Sequence, residues 1–327
     1  MSETIERTPR IAHLIARHAE SNLWLARYME RIENVARLLD VTNTFARDAD
    51  DTRNWLTILR INGDLEGFYA KHPEANQANV AHFYLLDATS PTSVQTSIGA
   101  ARENARTLRA LISTEMWLQI NVFYTRIRAL TPTDLLPDHF TAVCGMLKEG
   151  TQAHTGITEG TFYRDQAWHF YMMGRYLERA DQTTRLLDTR FHALAPQAPA
   201  GEGEIDAGQW NGLLRAAAGY HAYRREHPNG YRPTEVAGFL LANTAFPRSV
   251  GLNLAQLEWH LSQLRTRYYL RGSIPALERL DQLNGTLTHQ NVAELVKGRL
   301  SPFLDFVQKE IAGLHADIVQ GFCGGAA

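Results

Sequence analysis

The chain has 327 residues, 44% hydrophobic and 21% charged, an ordinary globular balance with ample length for a buried core. A formal net charge of −2 gives no long-range field and argues against bulk nucleic-acid binding. Two cysteines far apart, Cys144 and Cys323, support neither a disulfide framework nor a thiolate metal site, and no stretch approaches the roughly 18 apolar residues of a membrane span. The polar segment 1–10 has no apolar signal core, so a disordered N-terminus and a cytoplasmic location are expected.

Helical periodicity dominates from there on. Over 23–40, Leu25, Tyr28, Met29, Ile32, Val35, Ala36 and Leu39 form the i, i+3, i+4, i+7 stripe of an amphipathic helix, with Ser21 as its expected N-cap. Residues 91–130 read as helical, opened by Ser90 and Pro91, with a break before a fresh start at Ser113. Pro247 takes the equivalent opening position later in the chain, followed by a periodic run to about Arg265. Residues 193–206, containing Pro196, Pro199, Gly201 and Gly203, read as a loop. A last helix is expected over roughly 288–318, ahead of a flexible tail at 319–327. Alternating strand patterns with hairpin turns are absent, so the fold is read as all-α.

The chain repeats itself. Arg27-Tyr28-Met29-Glu30-Arg31 returns as Arg175-Tyr176-Leu177-Glu178-Arg179, and Ala36-Arg37-Leu38-Leu39-Asp40 as Thr184-Arg185-Leu186-Leu187-Asp188, both at an offset of 148 (175 − 27 and 185 − 37). Pro91-Thr92-Ser93-Val94 returns as Pro247-Arg248-Ser249-Val250. Two long copies, about 11–156 and 160–318, suggest a single pseudo-twofold helical bundle rather than an open solenoid.

On the helix carrying Arg27, the side opposite the apolar stripe holds Arg27, Glu30, Arg31 and Asn34, flanked by Arg37 and Leu38. The second copy keeps Arg175, Glu178, Arg179 and Arg185, puts Gln182 for Asn34, and retains Leu186 for Leu38. A leucine on a polar side implies that other helices cover it. Three readings stay open: a buried Arg–Glu network, a site for an anionic ligand or partner, and a plain solvated face. Arg102, within Arg102-Glu103-Asn104-Ala105-Arg106, reads as a solvated face. Arg164-Asp165 with Trp168 reads as a capping element or site wall, and 221–227 as a basic helix end.

Familiar catalytic patterns are missing. There is no Glu-x-x-His step for a di-metal carboxylate centre, no Gly-rich phosphate loop, no Gly-x-Ser-x-Gly elbow and no dinucleotide fingerprint. His13, His18, His82, His154, His169, His221 and His227 lack ligand spacing and read as surface or capping residues. Glu30-x-x-Glu33 is a spacing that helices carry routinely. No metal and no cofactor of the chain's own is expected.

The repeated segments, together with Ala101-Arg102-Glu103-Asn104-Ala105-Arg106, Glu115-Met116-Trp117, Gly160-Thr161 and Gly174-Arg175-Tyr176-Leu177-Glu178-Arg179-Ala180-Asp181-Gln182, resemble the alpha-E family, bacterial all-helical proteins with an "ER" motif. Ala26 departs from it where the second copy has the more usual Gly174, and Tyr163 stands where a smaller residue is common. Proteins of that family are typically encoded beside, or fused to, a circularly permuted ATP-grasp protein, and often near a transglutaminase-like protein. The resemblance thus implies an accessory or substrate-binding role in peptide or amide bond formation, with ATP reached only through the partner. Arg27, Arg31, Arg37, Arg102, Arg164, Arg175, Arg179, Arg185 and Arg248 are the candidate contacts for an anionic or peptide substrate, or for the partner. Asn34, Gln182 and Asp165, with the glutamates, are the candidate supporting network. Alternatives are an acyl or peptidyl transferase or amidoligase using Glu30 or Glu178 as general base, and a purely structural scaffold.

Overall fold

A computed structural model describes residues 14–46, 51–194 and 207–323, all helical or in connecting turns, with no strand among them. The segment 1–10, most of the expected loop 193–206 and residues 324–327 lie outside the described residues. The first half holds α1 (Ala16–Ala46), α2 (Asp51–Asn62), α3 (Leu65–Tyr69), α4 (Gln77–Leu85), α5 (Val94–Thr107), α6 (Thr114–Arg128) and α7 (Pro137–Thr161). The second holds α8 (Gln166–Leu194), α9 (Ala207–Ala216), α10 (Tyr220–Glu226), α11 (Pro233–Ala242), α12 (Val250–Thr266), α13 (Ile274–His289), α14 (Val292–Glu294) and α15 (Leu300–Cys323).

The two longest helices, α1 and α8, pack on each other along the middle of the molecule. Each has its own main flanking helix, α5 on α1 and α12 on α8. The next helices cross over: α2 packs on α8 and α9 packs on α1. Apolar stripes explain the arrangement, since Leu25, Met29, Ile32, Val35, Ala36 and Leu39 are all buried on α1. Leu38 and Leu186, the leucines on the polar side, are buried as well. Each fully buried leucine contributes about 1.5–3 kcal/mol, so both faces of these helices are committed to the interior.

The α1–α8 crossing is close enough to dictate a glycine. A Cβ on Gly174 would sit 2.1 Å from the Leu23 carbonyl oxygen, so the two backbones touch there and no side chain fits. Ala26, its counterpart on α1, is buried without such a constraint.

Helix starts follow capping chemistry, with some shifts from the sequence reading. Ser93 accepts the Thr96 N–H at 3.1 Å and Ser249 accepts the Leu252 N–H at 3.2 Å, so α5 and α12 start after these serines. Ser90, Pro91 and Pro247 therefore lie in the preceding turns. Ser113 caps α6 as expected, accepting the Met116 N–H at 3.1 Å. Ser21 is not a cap: α1 already begins at Ala16, and Ser21 is buried within it. The last expected helix is divided, because the Asn291 side chain caps a new turn and Gly298 adopts φ +141° before α15. That helix continues through Cys323.

Candidate functional site

The polar faces of α1 and α8 meet in a buried seam. Glu178 is 1% exposed and accepts from Arg27 Nε at 2.7 Å and Arg31 Nε at 2.6 Å. Across the seam Glu30, 5% exposed, lies 2.8 Å from Arg179 Nη2 and 3.6 Å from Arg175 Nε. One turn further along both helices Asn34 donates to Gln182 Oε1 at 2.5 Å, and Gln182 Nε2 donates to Glu178 at 3.1 Å. The arginine–glutamate steps are one helical turn apart, so the repeat in sequence places each carboxylate opposite the guanidiniums of the other helix.

Burial by itself would raise the Glu178 carboxyl, but Arg27 and Arg31 outweigh it and hold it at about 2. Glu33 behaves alike: burial opposes ionisation, and Arg248 and Arg37 hold it at about 2. Arg248 reaches in from the turn before α12, 2.8 Å from Glu33 and 3.6 Å from Glu30. Its backbone carbonyl takes the Thr183 hydroxyl at 2.8 Å, which pins that turn to α8. Arg37 completes the Glu33 pair at 2.6 Å, and Arg185 pairs with Asp181 at 2.8 Å.

Arg27, Arg31, Arg37, Arg175, Arg179, Arg185 and Arg248 thus outnumber the carboxylates they meet, Glu30, Glu33, Glu159, Glu178 and Asp181. The carboxylate ends differ. Glu178 is saturated by charged donors, whereas Glu30 Oε2 and Arg179 Nε are buried without a hydrogen-bond partner. A cleft of about 170 Å³ opens over the Glu178 end, lined by Arg31, Asn62, Thr92, Glu178, Asp181, Gln182 and Arg185.

Arg102 and Arg164 stand outside the seam. Arg102 donates to Asn121 at 2.7 Å and lies over the Tyr124 ring, a third exposed. Arg164 stacks 3.4 Å over Trp168 and pairs with Glu159, which also bonds Arg175 at 3.0 Å. Asp165 caps α8 by accepting the Ala167 N–H at 2.9 Å.

Sequence reading missed Glu33 and Asp181, whose Glu-x-x-Glu and i,i+4 spacings are common to solvated helices. It also read His154 and His169 as surface or capping residues, and both are buried. His154 Nδ1 donates to Gln119 Oε1 at 3.1 Å, because Gln119 Nε2 is committed to the Gly150 carbonyl, and His154 Nε2 accepts the Tyr171 hydroxyl at 3.0 Å. Burial, with Arg175 beside it, lowers His154 to about 3. His169 Nδ1 and His260 Nδ1 are 2.8 Å apart. Burial and nearby arginine charge lower His169 to about 4, and burial and His169 lower His260 to about 3. Among the described residues, no group of three or more His, Cys, Asp or Glu is arranged to hold a metal ion, and no helix is long and apolar enough to cross a membrane.

Residues 14–322 match the Alpha-E family, described as "a predicted alpha-helical domain with a conserved ER motif". An uncharacterized protein of Mycobacterium bovis is 24% identical over 315 residues, covering 90% of this chain but 35% of its own length. Uncharacterized proteins of two Mycobacterium tuberculosis strains match over the same coverage at 24% and 23% identity. The chain therefore spans about a third of the length of these relatives. No solved structure matches it. With the family match running nearly end to end, the chain belongs to the Alpha-E family.

Proposed function

We propose that this chain is the helical accessory module of an amide-bond-forming system, and that the cleft over the seam receives an anionic group of the substrate. Arginine donors not used by Glu178 and Asp181 carry the reading, since in charge the cleft balances Arg31 and Arg185 against those two carboxylates. Arg31 and Arg185 border the cleft with only part of their donor capacity used by Glu178 and Asp181, so a carboxylate or phosphate entering there would meet unspent guanidinium N–H groups. A circularly permuted ATP-grasp protein is the proposed partner and supplies the ATP chemistry; a transglutaminase-like protein is a further candidate. Family resemblance supports the partnership, as does the length of the mycobacterial relatives, in which the matched region is one part of a larger protein. We also read the bundle as two copies about a pseudo-twofold axis, supported by the α2 and α9 crossover and the reciprocal Arg–Glu pairing. Co-purification with the ATP-grasp protein is the test, with Arg185→Glu expected to reduce product formation. No complex, and no effect on its product, would discard the idea.

A second reading, an acyl or peptidyl transferase, rests on Glu30, whose Oε2 has no hydrogen-bond partner. Glu178 is a poor general base at neutral pH because two arginines hold it at about 2. Glu30→Gln abolishing turnover with an unchanged melting temperature would favour this reading. A large fall in melting temperature would make Glu30 structural.

A further inference from the structure

A separate cavity of about 370 Å³ opens where the last turns of α1 meet α7 and the α9–α10 turn. It touches the seam only through Arg37. Three permanent cations line it, Arg37, Lys148 and Arg215, against a single carboxylate, Asp40. Arg37 is already paired with Glu33 and Lys148 with Asp40, at 2.6 and 2.7 Å. Arg215 is not: among the described residues it donates to Asn211 Oδ1 at 2.6 Å and lies 4.5 Å over the Tyr220 ring, with no carboxylate. His221 also lines the cavity. Val41, Phe45 and Tyr220 add apolar and aromatic surface to the lining.

The rim is held by a strained turn. Gly219 N–H bonds the Leu214 carbonyl at 2.7 Å, closing the end of α9, and this puts Ala218 at φ +57° where glycine is the usual residue. That turn sets Arg215 and Tyr220 on the same edge. Backbone strain of this kind clusters at ligand sites.

We propose that this cavity binds a phosphomonoester, with Arg215, Lys148 and Arg37 on the phosphate and the Phe45–Tyr220 wall on the organic part. Donor count selects the ligand: Arg37 and Lys148, though paired with Glu33 and Asp40, keep further N–H groups beside Arg215, and a phosphomonoester brings three strong acceptor oxygens and a charge of about −1.5 to −2 at pH 7. A monocarboxylate offers only two oxygens to the three cationic side chains. The volume falls at the lower end of the roughly 300–1,000 Å³ typical of small-ligand sites. The proposal stands whether or not an ATP-grasp partner is captured.

Isothermal titration of the full chain with phenyl phosphate, inorganic phosphate and benzoate tests it. Phenyl phosphate is expected to bind saturably and more tightly than inorganic phosphate, and benzoate about tenfold more weakly or worse, the cost of one lost charge-assisted pairing. Arg215→Ala and Lys148→Met should each weaken phenyl phosphate about tenfold or more, while Arg215→Lys retains most of the affinity. Arg215 is exposed, so its replacement should leave the thermal melt intact, and Arg215→Lys guards against a folding defect. Absence of saturable phenyl phosphate binding, equal affinity for benzoate, or full affinity in Arg215→Ala would each overturn the proposal.

Discussion

Mild acid should destabilise this protein through its buried histidines, well before its carboxylates respond. His154, His169 and His260 are neutral in the folded chain, lowered by burial to about 3, 4 and 3. Unfolded histidine titrates near 6.5. Because the folded values are depressed, the stability these groups contribute is complete above about pH 6.5 and declines as the pH falls below it. Between about pH 7.5 and 5.5 each neutral histidine costs about 1.4 kcal/mol. Geometry secures at least two of them. His154 donates to Gln119 while accepting from Tyr171, and the 2.8 Å Nδ1–Nδ1 contact cannot hold two protons, so one of His169 and His260 stays neutral. Two neutral histidines give about 2.8 kcal/mol and three about 4.2 kcal/mol, a large share of the 5–15 kcal/mol typical of a folded domain. Glu33 and Glu178, held at about 2, lose their contribution as the pH falls from the ordinary carboxylate value toward 2, below this window. Urea unfolding followed by circular dichroism at the two pH values measures the loss, and His154→Gln should reduce it by about 1.4 kcal/mol. A change below about 1 kcal/mol over that interval would refute the neutral-histidine assignment.

Three further outcomes follow from the seam and the backbone. Glu178→Gln strands Arg27 and Arg31 in a buried site and should cost about 3–5 kcal/mol, read as a fall in melting temperature. A loss under about 1 kcal/mol would place the seam in solvent. Gly174→Ala drives a methyl into the Leu23 carbonyl and should destabilise by about 1–3 kcal/mol or more, whereas an unchanged urea midpoint would mean that α1 and α8 separate freely. Ala218→Gly relieves the φ +57° strain and should raise stability by about 1 kcal/mol, at some expense of phenyl phosphate affinity if the turn positions Arg215. A loss of stability in that variant would contradict the strain argument.

Much of the helical content was legible because periodicity reports a buried stripe directly, as in 23–40. The Arg–Glu–Arg repeat pointed to the seam because a solvated face has no reason to keep the same charges in two places, and Leu38 and Leu186 signalled cover on the polar side. Element ends were less legible. Ser90 and Pro91 carry as good a start signal as Ser93, and only the backbone geometry decides which hydroxyl accepts an orphan N–H. Glu33 was passed over because its spacing is common; its role depends on Arg248, 215 residues away (248 − 33), which no local pattern could reveal.

By itself, then, the sequence determined the helices, their apolar faces and the duplicated charge pattern, because these depend on residues within a few turns of one another. Tertiary structure decided what the charges meet. The pairing of Glu178 with Arg27 and Arg31, the neutral state of His154, and the gathering of Arg37, Lys148 and Arg215 around one cavity all join distant parts of the chain. Their energetics depend on solvent exclusion, and exclusion is a property of the packed helices rather than of any segment alone.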